Sequence, residues 1–353
     1  MPPLIIPFFI LHQGCPHRCA YCNEEKTVGA DLPLITEACL RETVSSFLSG
    51  RRRKEGPVQI AFYGGNFTGM DRERQRELLE RANVFITQGL VESIRISTRP
   101  DYIDAEGLDF LKKYSVRTVE IGAQSLADEV LRLSRRGHTA ADVRQAVQLL
   151  RSRGFETGVH LMVGLPGDSP AGFARTVSET IALAPHTVRI HPTLVLAGTD
   201  LAAMWGRGDY EPLSMAEAIT HCKQALINFA AAGIPVIRLG LQATPALEQA
   251  GSIMAGPYHP SFRSRVEEAI FFDLAAHLLN RLNAPGGEVA FSLSSGDVSA
   301  FRGPQNRNLA AIKEAFRLPS LTIAVDLHQP RGCLAVTVAG KTERLTLANL
   351  SGY

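Results

Sequence analysis

The stretch GCPHRCAYCN, residues 14–23, holds three of the chain's six cysteines, Cys15, Cys19 and Cys22, within eight positions. Scattering six cysteines at random would place three within eight positions only about once in fifty trials. Thiols this close are soft metal ligands once deprotonated. Three chemistries could use them. A structural zinc takes four ligands, with His12 or His17 as the fourth, although C-x3-C-x2-C departs from the usual two-pair arrangement. A redox pair would use the C-x2-C half and leave Cys15 unexplained. An iron–sulfur cluster on three protein ligands leaves one iron open, and an open position is what a catalytic metal needs. Cys39, Cys222 and Cys333 stand alone in the sequence and read as small buried hydrophobes.

A strand precedes the cysteine loop, IIPFFILH (5–12), and β-rich runs recur at VQIAFYG (58–64), SIRIST (93–98), TVEIGA (118–123), TGVHLMVG (157–164) and TVRIHPTLV (187–195). Helical patterns lie between them, at 36–49, 72–87 and 140–154, the last closing on Gly154 as a C-terminal cap. Strands alternating with helices predict a parallel sheet with right-handed crossovers. Each strand is followed by a polar or glycine-rich turn: GCPHRC, GGNFTG, TRPD, QS, GLPGDS. In a β/α barrel those turns lie at the ligand-binding end. Six units are fewer than eight, so the expectation is an α/β fold, a partial (β/α)6-type TIM barrel, with IPVIRLG (234–240) as a further strand. Residues 251–353 read as a small C-terminal α/β extension after a barrel spanning 1–250. It would hold helices at 263–283 and 305–316 and the β-like runs EVAFSL, SLTIAVDL and CLAVTVAG.

With 37 basic against 35 acidic residues the surface as a whole is no nucleic-acid magnet, which leaves room only for local basic patches such as RRRK at 51–54. The apolar LIIPFFIL (4–11) is too short to span a bilayer and lacks the flanks of a signal peptide. With thiols that suggest no disulfide framework, this predicts a cytoplasmic protein without membrane partners.

The loop CPHRCAYC after the first strand of a βα series resembles the cluster loop of the radical S-adenosylmethionine (radical SAM) enzymes. The resemblance implies two cofactors, a [4Fe-4S] cluster on Cys15, Cys19 and Cys22 and S-adenosyl-L-methionine on its open iron. It also implies an electron donor, a reductase or a flavodoxin- or ferredoxin-type protein. By the same match Gly64 and Gly65 hold the methionine amino group, Tyr21 faces the adenine through its backbone, and Gln124 faces the nucleoside. Arg136, or alternatively Arg135, pairs with the methionine carboxylate, and His160 stands in the fifth-strand motif HLMVGLPG that contacts ribose and adenine.

STRPDYI (97–103), EIGAQSLADEVL (120–131), RRGHTAADVRQAVQLLRSRGF (135–155) and VRIHPTLVLAGTDLAAMW (188–205) further resemble the radical domain of the elongator catalytic subunit family, which modifies the wobble uridine of tRNA. VIRLGLQ would place Arg238 toward the barrel cavity. The chain departs from that family in its shorter first cysteine gap, in Ser97 before TRPD and in His191 before PT. It also shows no acetyl-coenzyme A motif in 250–353 and no basic N-terminal region. The resemblance implies a radical enzyme acting on tRNA or another RNA base, with Arg51–Arg53, Arg263 and Arg265 as candidate RNA contacts. Two alternatives stand beside it. One is a radical enzyme on a small molecule, as in oxygen-independent coproporphyrinogen oxidase, although only fourteen residues precede Cys15 where that enzyme has an additional segment. The other is a non-catalytic iron–sulfur or zinc binding module. Methylthiolation would need a second cysteine triad, which the isolated cysteines do not form.

Overall fold

The computed structural model describes residues 3–30, 32–50, 56–283 and 288–352. It divides into two compact units, Met1–Leu213 with Gln242–Pro257, and Ser214–Leu241 with Tyr258–Tyr353.

Six strands of the first unit pair in sequence order, all parallel: β1 (Leu4–Phe9), β2 (Val58–Tyr63), β3 (Ser93–Thr98), β4 (Val116–Gln124), β5 (Glu156–Val163) and β6 (Thr187–Pro192). Sequence order with parallel pairing is the barrel progression, and the sheet curls into a partial TIM barrel. One face of each strand carries the β-branched and aliphatic residues: Ile60, Ile94, Val119, Ile121, Val159, Leu161, Val188 and Ile190 are all fully buried. Each removes an aliphatic side chain from water, about 1.5–3 kcal/mol apiece before entropy is charged. The opposite face, alternating with the first along each strand, carries Arg95, Glu120, His160 and Arg189. Their side chains meet inside the curl.

Helices α1 (Glu24–Thr27), α2 (Glu37–Ser49), α3 (Arg72–Thr87), α4 (Ala105–Lys113), α5 (Asp128–Leu133), α6 (Ala140–Ser152) and α7 (Pro170–Leu183) fill the connections. Their starts are written locally. Asp71 accepts from the Arg74 amide, Asp104 from Gly107, and Thr139 with Asp142 forms a capping box; Ser169 caps α7, with Pro170 at its first position. After α6, Gly154 takes φ +73° while Phe155 donates back to the Leu150 carbonyl, the glycine-terminated ending expected for this helix. The segments Val195–Leu196 and Ile253–Ala255 form a short antiparallel pair in the same unit.

The second unit has helices Met215–Ala231 and Phe262–Arg281, strand Val236–Leu239, and a four-stranded sheet. In that sheet Val289–Leu293 lies between Leu321–Val325, parallel to it, and Cys333–Val338, antiparallel. The fourth strand, Lys341–Thr346, has no apolar run to announce it. It forms because Ala339 and Gly340, both at positive φ, close a two-residue hairpin onto Cys333–Val338. No helix of the described residues is long and apolar enough to cross a membrane.

Candidate functional site

The cysteine loop leaves β1 and is clamped from three directions. At its start, Gln13 donates to Ile10 O, and Cys15 donates to His12 O. At its end, Asn23 caps α1 and donates its side-chain amide to Ala197 O at 2.9 Å. Between them Ala20 donates to Ser134 O and accepts from Leu201 N, so the loop is tied both to the α5–α6 turn and to the segment after β6. Tyr21 is packed against Val195, Leu201 and Tyr210. The stretch HPTLVLAGTDL therefore buttresses the cysteine loop.

All three thiols are free. Burial pushes the Cys15 thiol up to about 11, aided by Glu24 and Cys19 and opposed by Arg99 and Arg136. Cys22 is raised in the same way, first by burial and then by Glu24, Cys19 and Cys15. Thiols that raise each other's pKa lie near one another, and a metal there would reverse the balance by coordinating them as thiolates. Arg136 is the counter-charge already in place. It is buried, donates from Nη1 to Cys19 Sγ at 3.0 Å and from Nη2 to Gly122 O at 2.6 Å, and its Nε has no partner among the described residues. The buried Tyr21 hydroxyl also has no hydrogen-bond partner among the described residues. Two orphaned polar atoms beside three thiols fit a site built for a charged, polar group, and the donor set suits an iron–sulfur cluster. Arg135 points elsewhere, forming an exposed ion pair with Asp200.

The glycine pair after β2 faces the same loop. Gly65 donates to Glu24 Oε1 at 2.6 Å, and the other Glu24 oxygen accepts from His12 N at 2.5 Å. A side chain on Gly65 would meet Gln13 O at 2.5 Å, and one on Gly14 would meet Asn66 O at 2.1 Å, so two backbones touch where both are glycine. Asn66, fully buried, locks the contact. It donates Nδ2 to Gly14 O at 2.9 Å and its backbone N–H to Gln13 O at 2.8 Å. Its Oδ1 accepts from Thr98 Oγ1 at 2.6 Å and from Arg99 N at 3.0 Å.

His12, Cys22 and Glu24 offer donor atoms all within 4.8 Å of one another, the geometry a zinc reading would use. Both Glu24 oxygens already brace backbone amides, which makes Glu24 a loop staple first. His17 faces away from the thiols, with Nε2 on Arg135 O at 2.9 Å.

Deeper in the barrel lies a cluster that sequence reading missed apart from one member. Glu120, at 0% exposure, is hydrogen-bonded by His160 Nε2 and Arg95 Nη1, by Arg189 Nη2 at 2.9 Å and by Tyr63 OH at 3.3 Å. Burial alone would raise its carboxyl; His160, Arg189 and Arg95 outweigh that and hold it below the usual carboxylate range. Arg189 also donates to Tyr63 OH at 2.6 Å with its guanidinium over the ring, and Arg95 donates to Gln59. The signal was present in the strands: a charged residue at the centre of each of SIRIST, TVEIGA and TVRIHP breaks runs that are otherwise apolar or small.

The structure thus brings Cys15, Cys19, Cys22, Tyr21 and Arg136 together and sets Gly64 and Gly65 against the same loop through Glu24. Gln124, at φ +66° on the strand end, has its amide near Arg136: a side chain on Gly122 would meet Gln124 Nε2 at 3.0 Å and Arg136 Nη2 at 3.3 Å. His160 sits lower, on Glu120. Of the arginines expected to touch RNA, Arg263 donates to Val236 O and pairs with Glu267, and Arg265 is bonded to His259. Arg51–Arg53 lie outside the described residues.

A family model described as the radical SAM superfamily matches residues 9–179, and one for a radical SAM C-terminal domain matches 185–271. The tRNA uridine(34) acetyltransferase of Methanocaldococcus infernus is 30% identical over 243 residues, 58% of this chain and 46% of that protein. Human Elongator complex protein 3 is 33% identical over 212 residues, 51% of this chain and 38% of that protein. The chain spans about half the length of the curated relatives it matches. Among solved structures, archaeal Methanocaldococcus infernus Elp3 with an N-terminal deletion superposes with a TM-score of 0.56 at 22% identity, covering 76% of this chain and 62% of that one, a likeness of fold.

Proposed function

From the premise that this chain belongs to the radical SAM superfamily, with elongator-type relatives along its radical domain, we propose that it is an S-adenosylmethionine-cleaving enzyme that modifies a base in tRNA or another RNA. The observation that carries the first half is the set of three free, neighbouring thiols on one loop with the buried Arg136 donating to Cys19. Cys15, Cys19 and Cys22 would hold a [4Fe-4S] cluster with an iron left open for S-adenosylmethionine, and together these groups would supply one-electron reductive cleavage of the sulfonium to methionine, with hydrogen-atom abstraction from substrate to follow.

The chain's own residues prepare that chemistry. Cys15, Cys19 and Cys22 hold the cluster. Arg136, kept dry beside Cys19, offers its unpartnered Nε–H to a carboxylate, a pairing that guanidinium geometry favours. The Gly64–Gly65 turn carries no side chain of its own, and the Glu24 carboxylate, which accepts from Gly65 N, lies against it as an anionic neighbour for an ammonium group. Gln124 offers an amide to the nucleoside, and the backbone at Tyr21 faces the adenine.

The RNA half rests on the relatives, which are named for tRNA uridine over the same residues. It implies a cytoplasmic protein with a reductase or a flavodoxin- or ferredoxin-type electron donor. The test is anaerobic: reduced, iron-loaded protein given S-adenosylmethionine, with and without bulk tRNA, and 5′-deoxyadenosine measured. Formation that rises with tRNA supports both halves. Formation indifferent to tRNA keeps the radical chemistry and turns attention to a small-molecule substrate. Protein that holds one zinc and no sulfide, and forms none, overturns the reading.

A further inference from the structure

We infer that Arg189, with Tyr63, His160 and His191, forms a substrate-binding floor inside the barrel that accepts a carbonyl or carboxylate oxygen, in the proposed reaction a carbonyl of a uracil ring. The inference rests on the radical enzyme reading above and names the part of the barrel that would read its substrate.

Charge is the first argument. Two guanidiniums, Arg95 and Arg189, enter the barrel interior, and among the described residues the only carboxylate bonded to either is Glu120. Glu120 is already shared by four side chains. A surplus cation in a low-dielectric interior is costly unless something compensates it. Gln59 accepts from Arg95 Nε and Nη2 and Glu120 accepts from Nη1, so each Arg95 nitrogen has a partner. Arg189 is not: its Nε is buried and has no partner among the described residues. An acceptor brought by a ligand would close that donor.

Access is the second argument. Arg95 and Glu120 are sealed, whereas the Arg189 and His160 side chains keep 16% and 17% exposure. His160 and His191 stand side by side, ring centroids 6.3 Å apart, and Tyr63 lies under the Arg189 guanidinium at 4.9 Å. A floor with a free N–H, an arginine and flat rings suits a planar group presenting an acceptor. A uracil carbonyl meets that description, and so does a free carboxylate. Cytosine, which replaces one of the two carbonyls by an amine donor, suits it less well.

The experiment uses anaerobic, cluster-loaded protein and ligand-observed NMR at millimolar uridine, cytidine and sodium acetate, with S-adenosylmethionine affinity measured in parallel by equilibrium dialysis. Uridine is expected to bind at least threefold better than cytidine and to be displaced by acetate. Arg189→Met is expected to weaken uridine at least tenfold and Arg189→Lys, which keeps the charge but loses Nε–H, at least threefold; both should leave S-adenosylmethionine affinity within twofold. Acetate that binds while uridine does not would support the acceptor chemistry and overturn the base assignment. Equal uridine binding by wild type and both variants, or displacement of uridine by S-adenosylmethionine itself, would overturn the floor. Failure of wild-type protein to form 5′-deoxyadenosine would instead count against the parent reading, whatever the probes do.

Discussion

The Tyr63 hydroxyl accepts a hydrogen bond from Arg189 Nη2 at 2.6 Å, although the two residues stand on strands four places apart in the sheet. In a flat sheet those strands would be separated by about 19 Å at the usual inter-strand spacing. The bond is possible only because the sheet curls, and Glu120 is the point toward which it curls. That carboxylate bonds side chains from β2, β3, β5 and β6 and so ties four strands of the half-barrel together.

Replacing Glu120 by Gln should cost about 3–5 kcal/mol, because it leaves Arg95 and Arg189 buried without their counter-charge. Urea denaturation read by circular dichroism checks this. A loss under about 1 kcal/mol would mean that the cluster is hydrated rather than sealed.

The same residue predicts a pH dependence. Its folded carboxyl is held below the ordinary range, against burial, by His160, Arg189 and Arg95. Its contribution to stability is therefore complete above the unfolded value, about 4.3, and is lost as acid protonates it below that. The wild-type unfolding midpoint should fall more steeply below about pH 4.5 than that of Glu120→Gln. Parallel curves would remove Glu120 as the cause.

Buried His138 predicts a second, milder effect at higher pH. Burial, and then Arg136, lower its pKa to about 3, while Nε2 rests on Ala123 O. The folded protein keeps it neutral where the unfolded chain, with a value of about 6.5, takes up a proton. Stability should begin to decline as pH drops below that value, and His138→Gln should flatten the decline between about pH 6.5 and 5 in thermal unfolding.

The cysteine loop depends on backbone contact. Gly14 has φ +72°, and a side chain there would strike Asn66 O at 2.1 Å and Met70 N at 2.6 Å. Gly89 has φ +69° with nothing within 4 Å. Gly89→Ala should cost about 1 kcal/mol of backbone strain and leave iron content unchanged. Gly14→Ala should lose most of its iron and acid-labile sulfide per chain. Asn66→Ala, which strips Gly14 O and Arg99 N of their partner, should cost about 2–4 kcal/mol and speed cluster loss to a chelator.

Among the arginines, Arg136→Lys should keep the iron yet weaken S-adenosylmethionine binding about tenfold or more, since lysine has one nitrogen for all its donors and loses both the planar fork on Cys19 and Gly122 and the open Nε–H. Arg135→Ala, at an exposed ion pair, should change neither beyond about twofold. The reverse ranking in equilibrium dialysis would exchange their roles.

What could be read from the sequence alone was local. Three cysteines within eight residues define a ligand loop wherever the chain puts it. The alternation of short apolar runs with capped helices foretold all of β1–β6, with β3 matched at both ends and β1 and β6 read three residues too far, since period and capping act over a few positions. A choice such as Arg135 against Arg136 lay beyond it: one backbone step sends one side chain to solvent and the other to Cys19, 117 residues away. Glu24 meeting Gly65 across 41 residues was decided by the pairing of β1 with β2, and Tyr63 meeting Arg189 across 126 by the curl of the sheet. Hydrophobic pattern states which face of a strand is wet; only closure of the sheet states which polar residues must satisfy one another inside.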